Sequence, residues 1–91
     1  MIMEQSAYKN LIDEIIMKQT LILGPDIVFA KARNVDSIRF NEHGKVESFK
    51  GDPEQALKLL IDEFYALSGN LVKNVLTPVF AKYPDIKMPL I

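Results

Sequence analysis

Two long apolar patterns of helical spacing run through this chain, each interrupted by a glycine, with a segment of strand character between them. From Tyr8 the apolar positions fall at Leu11, Ile12, Ile15 and Ile16, pass the polar Gln19, and resume at Ile22 and Leu23. Steps of three and four place them on one stripe of a helix. Asp13, Glu14 and Lys18 take the other face, with Glu14 four residues before Lys18 in the favoured order for a helical ion pair. Gly24 and Pro25 then break the pattern, because glycine is a poor helix former and proline removes a backbone donor and disfavours helical geometry just before itself. Pro25 also suits the first turn of a new helix, which Ile27, Val28, Phe29, Ala30 and Ala32 continue to about Arg33. Lys31 and Arg33 complement the negative end of that helix, and Asn34 is expected as a left-handed cap. The reading for residues 4–34 is a kinked helix or two abutting ones.

Residues 37–50 read as a β-hairpin turning at Glu42, His43 and Gly44, where the glycine supplies a positive φ. A three-residue loop pairs Asn41 with Lys45 and sets Phe40 opposite Val46 and Arg39 opposite Glu47, so one register satisfies an apolar pair and an ion pair. Phe49 then shares the Arg39 and Glu47 face unless a bulge shifts it.

Gly51-Asp52-Pro53-Glu54-Gln55 is a helix start: Asp52 as cap, Pro53 in the first helical position, Glu54 at the positive end of the dipole and Gln55 placed to reach back. Leu57, Leu60, Ile61, Phe64 and Leu67 form the buried stripe that follows. Ser68, Gly69 and Asn70 weaken it, and Leu71, Val72, Val75, Leu76, Val79 and Phe80 resume it. Pro78 permits a kink or an end, so residues 52–82 read as helices. Pro84 and Pro89 predict an extended tail over 83–91 whose apolar members dock. Leu11-Ile12-Asp13-Glu14 is echoed by Leu60-Ile61-Asp62-Glu63, and Val28-Phe29-Ala30-Lys31 by Val79-Phe80-Ala81-Lys82, but at unequal offsets, which composition bias alone can generate. The sum is helix, helix, strand, strand, helix, helix: a single small α+β domain dominated by helices.

Composition narrows the function. The 91 residues carry 48% hydrophobic side chains, and a chain this short buries only roughly 60–65% of the surface its unfolded form exposes. Apolar residues crowd Leu21–Ala32 and Leu71–Phe80 beyond what one helical stripe needs. A net charge of −1 provides no positive field for phosphates, which disfavours nucleic acid as a partner. With no cysteine there is no disulfide, thiolate nucleophile or zinc knuckle. No apolar run approaches the ~20 residues that span a bilayer, and the first ten residues lack a secretory pattern, so a cytoplasmic, soluble protein is expected.

Candidate chemistry is sparse. His43 is the only histidine, in a hairpin turn beside Glu42, and reads as a solvated turn residue rather than a general base or metal ligand. The serines lack a nucleophile-elbow context. Asp13-Glu14 and Asp62-Glu63 diverge around their helices, so they read as solvated faces rather than a carboxylate metal site. The four glycines form no phosphate-cradling loop. The order of elements is wrong for a winged helix, and Glu42, Glu47 and Asp52 dilute the basic ribbon of Arg39, Lys45 and Lys50. No catalytic residue, metal or cofactor is expected.

The leading expectation is a non-enzymatic, self-associating interaction or regulatory module, a homodimer with room for another protein partner. The association residues expected are Ile22, Leu23, Ile27, Phe29, Val72, Val75, Leu76 and Phe80. One alternative is a sensor or carrier of a small apolar ligand held near the Gly24-Pro25 and Ser68-Gly69 breaks. Another is a transcription-associated accessory protein that binds DNA.

Overall fold

A computed structural model describes residues 2–88, with side chains from Gln5 onward. Six elements follow in the expected order: α1 (Ile2–Leu23), α2 (Pro25–Ala32), β1 (Ile38–Phe40), β2 (Val46–Phe49), α3 (Pro53–Ser68) and α4 (Asn70–Phe80). A single residue, Gly24, separates the first two helices, and Gly69 alone separates the last two. The architecture is a small α+β fold in which four helices carry one two-stranded antiparallel hairpin.

α3 begins as its sequence dictates. The Asp52 carboxylate accepts from the Glu54 N–H at 3.1 Å, and Pro53 occupies a first-turn position where no backbone donor is needed. α2 ends differently from the expectation. No non-glycine residue among those described has positive φ, so Asn34 is not a left-handed cap. The chain instead tightens through i→i+3 bonds, Asn34 N–H to Lys31 C=O and Val35 N–H to Ala32 C=O, each 3.1 Å. The Asn34 side chain is thereby free to donate to Glu63 Oε1 at 3.0 Å, tying the end of α2 to α3.

The hairpin turns through the three-residue loop. Asn41 N–H donates to Lys45 C=O at 2.8 Å, Gly44 takes φ +80°, and Asn41 Oδ1 accepts from the N–H groups of His43 and Lys45. Phe40 faces Val46 as expected, but Arg39 faces Ser48 and Ile38 faces Phe49. Glu47 is therefore an extra residue on β2, and the Arg39–Glu47 pairing does not form. The bulge restores Phe49 to the apolar side with Ile38. Val46 N–H, beside the bulge, donates to Asp13 Oδ1 of α1 at 2.8 Å, so a tertiary bond anchors the distortion.

One core joins the elements. Leu11, Ile12 and Ile15 of α1, Val28 of α2, Phe64 of α3 and Leu76 of α4 have no accessible surface, and Ile38 and Val46 close it from the hairpin. Pro78 sits inside α4 without ending it. Thr77 Oγ1 donates to Lys73 C=O at 2.7 Å in the turn before the proline. After α4 the chain does not simply extend. Pro84 takes the second position of a turn closed by Ile86 N–H to Tyr83 C=O at 3.0 Å, which buries Ile86 against the core. The remainder of the expected tail, 89–91, lies outside the described residues.

Candidate association surface

Helix directions follow from a few contacts. Pro53, Asp85 and Ile86 share a hollow with Ala7 and Tyr8, so α3 starts, and the chain after α4 passes, beside the first half of α1. Higher along α1, Glu14 pairs with Lys82. Fifteen helical positions then separate Tyr8 from Leu23 and Pro53 from Ser68, a rise of about 22 Å in each case. α1 and α3 thus ascend together while α2 and α4 descend. The two glycine corners, Gly24 and Gly69, come to the same end of the helical layer.

That end leaves apolar side chains uncovered. Ile22 is 49% exposed although its stripe, through Leu11, Ile15 and Gln19, is buried below it. Leu67, expected in the buried stripe of α3, is 36% exposed for the same reason: Leu60 and Phe64 beneath it are sealed, and the stripe continues past the top of the core. Leu71 beyond the corner is 47% exposed and Ile27 of α2 is 49% exposed. Met17 and Leu21 add an apolar strip along the outer side of α1.

Of the expected association residues, Ile22 and Ile27 are exposed at this end, and Leu23, Phe29 and Val75 are half-buried. Val72 and Leu76 have no accessible surface and Phe80 very little. Those three fill the groove between α4 and its neighbours, so they touch nothing outside the chain unless α4 leaves it. Leu67, Leu71, Met17 and Leu21 were not among the expected residues. Leu21 and Leu71 open the two apolar-rich runs of the sequence, and Leu67 and Leu71 flank Gly69 four residues apart, where a corner ends the core.

Phe29 works at the hairpin. Its ring meets Phe40 edge to face, with centroids 6.5 Å apart, and lies against Gly44 so closely that a Cβ there would fall 2.9 Å from Phe29 Cζ. Gly44 is thus required twice, for its positive φ and for this approach. Beside the ring a solvent-open hollow of about 460 Å³ is lined by Phe40, Arg33, Asn41, Glu42 and His43 among others. His43 is exposed there. No three His, Asp or Glu side chains among the described residues converge as metal ligands.

Three of the four paired acids serve as tethers. Asp13 holds the hairpin, Glu63 holds the end of α2, and Glu14 pairs with Lys82 rather than with Lys18. The Glu14 carboxylate, by hydrogen bond and charge, raises the Lys82 ammonium above its ordinary 10.5. Partial burial, with Glu14 second, raises the Tyr83 phenol above 10.0. Asp62 stays exposed, as do Arg39, Lys45 and Lys50 along the hairpin. No described helix is long and apolar enough to cross a membrane. Set against protein families, characterised proteins and solved structures, the chain matches none.

Proposed function

We propose that this chain is a non-enzymatic module that works by self-association, pairing as a homodimer through the end of the helical layer that carries both glycine corners. The supporting observation is that the buried stripes of α1 and α3 run one step beyond the core, leaving Ile22 and Leu67 exposed, with Leu71 and Ile27 exposed on the helices that follow the two corners. Side chains on a core-facing stripe gain most from being covered, at roughly 25 cal/mol per Å² of apolar surface removed from water. A second copy presents the same stripes and satisfies both at once.

The test is a paired charge substitution. Ile22→Glu with Leu71→Glu is expected to abolish a dimer measured by light scattering at high micromolar concentration, with thermal unfolding of the dilute monomer little changed. A dimer that survives both charges would place the contact elsewhere and refute this surface.

A second reading rests on the hollow beside Phe29. An aromatic wall with Arg33 and His43 at its rim suits a small ligand with an apolar body and an anionic group, at the hairpin tip rather than at the helix breaks. A thermal-shift series with aromatic acids tests it. Stabilisation removed by Arg33→Ala supports it, and an unmoved melting temperature across the series counts against it.

A further inference from the structure

The Gly69 corner is built so that it can straighten. Gly69 holds φ +59° and ψ −133°, a conformation open to glycine and strained for other residues. Its N–H already donates to Tyr65 C=O at 2.7 Å, the i→i−4 bond of an uninterrupted helix. No side chain caps the start of α4; Val72 N–H turns back to Gly69 C=O at 3.1 Å, and no backbone bond joins the Asn70 and Leu71 N–H groups to the last carbonyls of α3. With Gly69 helical, Asn70 and Leu71 N–H would meet Ala66 and Leu67 C=O, and residues 53–80 would form one helix about 42 Å long. The molecule now measures only 32 Å along its longest axis. Straightening also aligns Phe64, Leu67 and Leu71 on one stripe, at steps of three and four.

Straightening withdraws Val72, Leu76, Val79 and Phe80 from a groove whose walls include α1 and α3. The loss of that burial forbids the straight form to a lone chain but not to two. We propose that two copies exchange α4, each chain's α4 filling the groove of the other while residues 53–80 become continuous. Every core contact of α4 is then remade between chains, and the exposed Leu67 and Leu71 are brought to the junction where the two long helices meet. This rests on the self-association reading and specifies its geometry. The Gly24 corner does not behave this way, because Pro25 has no N–H to give and its ring opposes a continuous helix.

The native Glu14–Lys82 pair reports exchange directly. Light and ¹⁵N-labelled protein, unfolded together and refolded at high concentration, are treated with a carbodiimide, which condenses the paired amine and carboxylate with loss of water. Exchange predicts a Glu14–Lys82 cross-linked peptide of mixed isotope in the dimer fraction. Gly69→Ala, which meets no clash within 4 Å and disfavours only the bent backbone, is expected to raise the dimerisation constant at least tenfold. Asn70→Pro, at a first helical position that tolerates proline, is expected to lower it at least tenfold while the monomer loses little of its melting temperature, the one bond given up being the long, exposed one from the Tyr65 hydroxyl to Asn70 Oδ1 at 3.4 Å. A dimer with only unmixed cross-links and no response to Asn70→Pro overturns exchange and leaves self-association standing. A monomer at every concentration overturns both. If Gly69→Ala fails to fold, the isotope result and Asn70→Pro still decide.

Discussion

At one corner of the helical layer a proline follows the glycine, and at the other an asparagine does. Both corners reverse the chain in a single residue, both glycines have positive φ, and neither following helix has a side-chain cap. The difference lies in what each sequence forbids. Gly24-Pro25 fixes the bend, since the proline excludes a through-going helix. Gly69-Asn70 leaves the bend dependent on non-covalent contacts, chiefly the packing of α4, with the Tyr65 hydroxyl donating to Asn70 Oδ1 at 3.4 Å across the corner. Two turns of similar shape therefore hold their helices on different terms: one by covalent geometry, the other by burial.

The largest expected effect isolates the burial term. Leu76→Ala should cost about 2–5 kcal/mol in chemical denaturation, since Leu76 is sealed in the groove that holds α4. Leu71→Ala, on the exposed side of the same helix, should stay within about 0.5 kcal/mol. Equal losses would mean that α4 is not held by its buried stripe. The corner glycines come next. Gly24→Ala and Gly69→Ala should each cost the monomer about 1–3 kcal/mol of backbone strain, but only the second should raise the dimer fraction in light scattering. A dimer promoted equally by Gly24→Ala would erase the distinction.

Gln19 gives a smaller effect of opposite sign. It lies on the buried stripe of α1 at 1% exposure, and its Nε2 has no hydrogen-bond partner. Gln19→Met should raise stability by about 1 kcal/mol, read as a melting temperature several degrees higher. A fall would show that the amide is satisfied in solution.

The smallest effect concerns pH. Lys82 and Tyr83 both have folded-state values raised above their ordinary ones, Lys82 chiefly by Glu14 and Tyr83 chiefly by burial. Their contributions are complete below the unfolded values of 10.5 and 10.0 and are lost as pH rises through the higher folded values. Stability should thus decline only in the alkaline range, and Glu14→Gln should flatten that decline while changing little at neutral pH, since the Lys82 side chain is 63% exposed although Glu14 is only 17% exposed. A Glu14→Gln curve parallel to the wild type up to pH 11 would show that the pair does not persist in solution.

Legibility in the sequence followed the range of the interaction. The start of α3 could be read from Asp52 and Pro53 because a cap and a first-turn proline act within four residues. The hairpin loop followed from Gly44 and the Phe40–Val46 pair. Phe49 on the Arg39 and Glu47 face signals a bulge as one alternative, but not its place at Glu47, because a carboxylate 33 positions earlier takes the Val46 N–H beside it. Asn34 looked like a cap and became a tether to Glu63, a partner that only the packing of α2 on α3 supplies. Apolar spacing marked the stripes of α1 and α3 but not where the core stops. Spacing alone therefore puts Leu67 in the buried stripe and does not separate Val72 and Leu76 from the exposed Ile22.

Self-association is the claim on which the rest turns, and sedimentation equilibrium of the wild-type chain from low to high micromolar concentration tests it most directly. A reversible monomer–dimer equilibrium is expected, its dimer share rising with concentration and falling on Ile22→Glu with Leu71→Glu. A strict monomer throughout that range would contradict it.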